Sequence, residues 1–153
     1  MKKGISLILL AFILSSCDNK LFKAESVNID GDIWEKEEVI NMPMTIADTS
    51  SVFDYYVSLR NSEDYKYQNI FLFIDLEFPN GRKLKDTLAV DLAGTDGKWK
   101  GKGSGSLYDN RILVNRRMKF PLPGEYVFRI RHAMRDESLE GIKTVGVEFD
   151  YVQ

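Results

Sequence analysis

The 153-residue chain holds one cysteine and one histidine. Each scarcity excludes a chemistry. A single thiol, Cys17, can form no internal disulfide and no thiolate metal cluster. A zinc site would need further His or Cys ligands that the chain does not supply. Any Ser-His-Asp system would have to use His132. No Gly-x-Ser-x-Gly elbow is present, because Ser104 and Ser106 stand among glycines without that spacing. Charge of one sign is also lacking: 21 basic against 23 acidic residues give a net charge of -2, with no global bias toward nucleic acid. Long apolar runs are missing too. Ile5 to Leu14 is about ten residues, where a membrane-spanning helix needs about twenty.

That short run has the three parts of a secretory signal. Lys2 and Lys3 form a positive start, Ile5 to Leu14 the apolar segment, and Ser15 and Ser16 the small residues before Cys17. Leu14-Ser15-Ser16-Cys17 resembles the lipobox of bacterial lipoproteins. The resemblance implies lipid on the Cys17 sulfur, cleavage before Cys17 and acylation of the new amine. Each buried methylene contributes about 0.8 kcal/mol, so two or more chains anchor a protein stably. The mature chain, 17–153, then carries a net charge of -4. Asp18 follows the lipidated position and bears on sorting. The outer membrane is the expected destination.

Residues 17–32 lack a sustained period and read as the lipidated cysteine and a flexible tether, reaching up to ~50 Å if extended. The domain is expected over 33–153. Its dominant pattern is two-residue alternation. Phe53, Tyr55, Val57 and Leu59 share one strand face, and Ile70, Leu72, Ile74, Leu76 and Phe78 another. Phe71 and Phe73 add a second apolar face, which predicts a central strand or one covered on both sides. Pro79-Asn80-Gly81 is turn chemistry. Leu84, Leu88, Val90 and Leu92 continue as a hairpin partner, with Asp86 breaking the apolar side. Further alternations run over 112–120, 126–130 and 145–151, with a weak strand at 37–46. Residues 133–141 allow one or two helical turns. About seven strands with regular turns predict an all-β fold, an antiparallel β-sandwich of immunoglobulin-like or jelly-roll-like type.

Candidate binding chemistry is sparse. "NIDGD" at 28–32 lacks the twelve-residue calcium ligand pattern. Gly101-Lys102-Gly103-Ser104-Gly105 lacks the Gly-Lys-Ser/Thr ending of a phosphate loop. No metal and no cofactor are expected. Trp99, within "DGKWKGKGSG", and Tyr65 and Tyr67, within "EDYKYQN", are the candidate contacts to a protein partner or a glycan, since rigid aromatic faces contribute strongly to interfaces. The alternative for each is packing on the core. Arg116, Arg117, Arg129 and Arg131 read as a solvated sheet face.

In order through the chain, "VFDYYVSLRN", "YKYQNIFLFIDLEFPNG", "KDTLAVDLAGTDGKWKGKGSG", "LYDNRILV" and "PGEYVFRIRHAMRDESLEGIKTVGVEFD" resemble the gliding motility lipoprotein GldH family. The resemblance implies an envelope lipoprotein associated with surface motility and the linked type IX secretion of adhesins. It carries over Cys17 as a modification site and no catalytic residue. The expected function is that of a non-enzymatic, lipid-anchored accessory of envelope proteins in a motility or secretion complex. A surface glycan-binding module is the alternative, and a hydrolase, motivated only by the many carboxylates, is the third reading.

Overall fold

The computed structural model describes residues 21–152. Cys17, Asp18 and the signal segment lie outside the described residues. The described chain is built from eleven strands, β1 (Leu21–Asn28), β2 (Ile33–Glu35), β3 (Ile40–Ile46), β4 (Phe53–Ser62), β5 (Asn69–Glu77), β6 (Lys83–Asp91), β7 (Lys102–Ser104), β8 (Leu107–Met118), β9 (Gly124–His132), β10 (Ser138–Glu140) and β11 (Ile142–Tyr151), with one 3-10 turn at Asp30–Asp32. A five-stranded sheet runs β1-β11-β4-β8-β7, a four-stranded sheet runs β3-β9-β5-β6, and β10 pairs with β2. Every pairing is antiparallel.

The two large sheets face one another across an aromatic core. Tyr55 of β4 stacks on Phe149 of β11 at 5.0 Å, and Phe128 of β9 meets both rings at 5.5 Å from the opposite sheet. Phe53, Phe120 and Tyr126 extend the cluster to one end of the sandwich. The alternation seen in the sequence maps onto this interface. Ile40, Met42, Met44 and Ile46 face inward on β3, and Tyr126, Phe128, Ile130 and His132 on β9. Pro43, which lacks an N–H, stands on β3 at a sheet edge, where the missing donor is tolerated. Asn110 donates to the Asn61 side-chain oxygen at 2.9 Å, a buried polar pair that fixes the β4–β8 register.

Two expectations change, and a third is met in one of its two forms. The tether over 17–32 shortens, because Leu21–Asn28 pairs with β11 from Leu21↔Asp150 to Asn28↔Thr144. Phe22, at the bulge between Leu21 and Lys23, and Val27 pack on the core, and the odd spacing together with the polar composition hides the strand in the sequence. Residues 133–141 form no helix; Ser138–Glu140 is a strand held by Glu35, Trp34 and Ile33. β5 is central in its sheet, between β9 and β6, yet it is covered on one face only. Phe71 and Phe73 on the other face are 40% and 39% exposed. Arg131 lies over the Phe73 ring at 5.0 Å, a cation–π contact that shields part of it. Arg129 meanwhile pairs with Glu77 at 2.7 Å, so the two arginines are sheet-face residues with partners.

Candidate functional site

The outward face of the five-stranded sheet holds a trough. Its floor is a row of small residues in register across three strands, Ser26 of β1, Gly146 of β11 and Ser58 of β4. Gly146 is required there, since a Cβ would stand 2.6 Å from the Ser58 hydroxyl and 3.0 Å from the Ser26 Cβ. Long side chains rise on both sides, so the small row makes a hollow of about 730 Å³. Four cations, Arg60, Lys100, Lys102 and Arg111, and the carboxylates Asp91, Asp109 and Glu148 line it, with the Glu25 backbone oxygen beside Gly146.

Arg111 organises the wall. Its Nε donates to Glu148 at 2.5 Å, its Nη2 donates to Asp150 at 2.7 Å, and its guanidinium lies 3.6 Å from the Tyr56 ring centroid. Arg60 donates two parallel bonds to Asp109, at 2.6 and 3.1 Å. Such paired geometry makes these side chains rigid as well as charged. The hollow is therefore polar, charge-balanced and pre-shaped, suited to a polar partner surface. Sequence reasoning missed Arg111 and Tyr56. The alternation that placed Glu148 and Asp150 on the outward face was the available signal, but cross-strand pairing decides which arginine meets them.

The aromatic candidates separate. Trp99, one residue before Lys100 of the lining, is half-buried, packs against the core and lies 5.6 Å from the Tyr108 ring. Its loop is a tight hairpin: the Gly94 N–H donates to the Lys98 carbonyl, the Lys100 N–H donates to the Leu92 carbonyl, and Gly97 takes a φ of 79°. Tyr65 is a core residue, 3% exposed, with its hydroxyl donating to the Asn69 carbonyl at 3.0 Å. A contact role for Tyr65 is thereby corrected, because a ring without accessible surface cannot meet a partner. Tyr67 packs against Tyr65 and donates to Asp136 at 2.9 Å. Lys66 and the Tyr67 hydroxyl together hold the Asp136 carboxyl below the usual carboxylate range.

The remaining motif candidates are structural. Gly101–Gly105 contributes β7, which pairs with β8. In "NIDGD", Asp32 pairs with Lys143 at 2.5 Å. Among the described residues no group of three His, Cys, Asp or Glu is placed to hold a metal ion. His132 is 1% exposed, edge-to-face with Trp34 at 5.4 Å, and both its ring nitrogens lack a hydrogen-bond partner. Burial pushes its pKa down from 6.5.

Fold and surface together define an antiparallel β-sandwich that displays a polar trough on one sheet. The comparisons then place it. The family model described as GldH lipoprotein matches residues 22–149, and the chain belongs to that family. It is 31% identical to the gliding motility lipoprotein GldH homolog of Christiangramia forsetii, over 98% of both chains. It is 30% identical to gliding motility lipoprotein GldH of Flavobacterium johnsoniae, over 98% of this chain and 97% of that one. Among solved structures it is similar to TmCBM61 in complex with beta-1,4-galactotriose, at 10% identity, covering 87% of this chain and 92% of that one. The TM-score of that pair is 0.32, and no functional statement rests on it.

Proposed function

We propose that this chain is a cell-envelope lipoprotein, anchored through Cys17 in the outer membrane, that serves gliding motility and the type IX secretion linked to it without catalysing a reaction. The observation that carries the reading is full-length similarity to relatives named for gliding motility. The trough supports the mechanism. Its paired arginines and carboxylates can exchange partners with a complementary protein surface, while the anchor raises local concentration at the membrane.

Crosslinking in living cells with mass spectrometry tests it. A discrete complex should be recovered, with crosslinks at Lys100 and Lys102 beside the trough. An Arg111→Glu variant should lose those crosslinks and keep its membrane retention. Efficient crosslinking that recovers only the monomer overturns the reading. Cys17→Ala should abolish incorporation of labelled fatty acid, and a variant that stays labelled overturns the anchor. A glycan ligand is the second reading, favoured by the polar lining and by the part of the Trp99 ring that stays exposed. Glycan binding that is lost with Trp99→Ala would establish it in place of the protein partner.

A further inference from the structure

The two sheets do not close against each other along β6 and β8. β6 is the free edge of its sheet, and β7 covers β8 only over Leu107–Asp109. Between these open edges the core is reached through a cleft of about 340 Å³. Its interior is apolar, lined by Ile74, Leu76 and Phe128 from one sheet and Val114 and Met118 from the other. Tyr55 enters from β4. It is 6% exposed, and its hydroxyl has no hydrogen-bond partner. A buried hydroxyl left unpaired costs about 1–3 kcal/mol, so this one marks a place where a ligand atom belongs.

The mouth of the cleft is cationic. Arg82 and Lys85 at the start of β6 and Lys119 after β8 line it, and Arg116 and Arg117 stand next to Lys119 in the chain. None of these five pairs with a carboxylate side chain among the described residues. Asp86 is the one carboxylate of the lining. The cleft also lies at the anchored end of the sandwich. Leu21 begins β1 there, because Phe22 packs on Phe53 at 4.7 Å and Phe53 pairs with Met118 of the cleft. Three residues, Asp18 to Lys20, separate Cys17 from Leu21, four Cα–Cα steps with a reach of at most ~14 Å.

We propose that this cleft binds a membrane phospholipid, with an acyl chain between the sheets and the anionic phosphate held by Arg82, Lys85 and Lys119. The Tyr55 hydroxyl meets the ester oxygens below the head group. An inserted peptide strand fits less well, since the interior side chains offer a single hydroxyl and the cationic mouth calls for an anionic head group. The inference rests on the anchored reading for its membrane proximity, and the test separates the two.

The test feeds cells a photoreactive, diazirine-bearing fatty acid that enters both the phospholipids and the lipid on Cys17. Label on the Cys17 peptide without light reports the anchor. Light-dependent adducts of intact phospholipid mass on peptides spanning 74–86 and 112–119 report the cleft. Arg82→Glu with Lys119→Glu should lower those adducts more than tenfold and leave the Cys17 label intact. Tyr55→Phe should lower them about fivefold, the worth of one hydrogen bond. The same variant should be no less stable to urea than the parent, because it removes an orphaned hydroxyl. Cleft adducts that are absent, insensitive to these variants or of free-fatty-acid mass overturn the proposal. So do adducts joined to the chain's own Cys17 lipid or to a protein.

Discussion

Single side chains at the ends of the core carry much of the specificity. Tyr126 is fully buried, and its hydroxyl both donates to the Leu122 carbonyl at 2.8 Å and accepts from the Leu122 N–H at 3.1 Å. It thereby locks the Pro121–Pro123 bend onto β9. Tyr126→Phe keeps the ring and removes both bonds, leaving two backbone groups to find water. Unfolding in urea should show a loss of about 1–2 kcal/mol. His132 sets a pH dependence. Burial lowers its pKa from 6.5 in the folded state, so the unfolded chain binds the extra proton. The stability is fully present above 6.5 and is lost as pH falls below it, toward the folded pKa, with a slope of at most about 1.4 kcal/mol per pH unit. His132→Phe, which preserves an aromatic contact with Trp34, should flatten the urea midpoint between pH 6.5 and 5. The inward role of Phe53, Val57 and Ile130 was legible from alternation. The roles of Tyr65 and Trp99 were not, because both stand in connections where no period says which way a ring turns.

Among the elements, the strands with clean alternation were legible and the short ones were not. β2, β7 and β10 have three residues each, too few to show a period, and each exists because a neighbour offers a hydrogen-bonding edge. β1 was hidden differently. "LFKAESVN" reads as polar because its outward residues are Ala, Ser and Asn, small or polar groups of the trough side. Its Phe22 nonetheless lies 4.7 Å from Phe53 and 5.0 Å from Tyr151. Joining Lys20 directly to Ile29 deletes β1, exposes the backbone edge of β11 and removes the wall of the trough. Thermal melting should fall by 2–4 kcal/mol equivalent, about the burial of one Phe with its ladder bonds, and light scattering should reveal association through the freed edge. An unchanged melting curve would return the segment to the tether.

At the level of the whole molecule the sandwich is polar from end to end. The apolar, cationic cleft lies near the start of β1, the end nearest the proposed anchor at Cys17. The trough runs toward the opposite end, where Asn28, Arg60, Asp109 and Lys100 line it. β4, with ten residues, separates the two ends by about 30 Å. No sequence pattern states this polarity, since it depends on which strand the N-terminal segment joins and in which direction. It has a mechanical consequence. On the proposed anchor through Cys17, the three residues before Leu21 hold the trough at a nearly fixed height above the bilayer, whereas a fifteen-residue tether would let it roam. A partner that is itself fixed in the envelope meets the trough only at that height. Inserting ten Gly/Ser residues between Lys20 and Leu21 leaves the lipid, the fold and the charges untouched and changes the height alone. Membrane retention should stay as in the parent, while the yield of partner crosslinks at Lys100 and Lys102 should fall severalfold as effective concentration drops. Crosslink yield that is indifferent to the insertion would show that the partner follows the trough, and that the short span serves the anchored end instead.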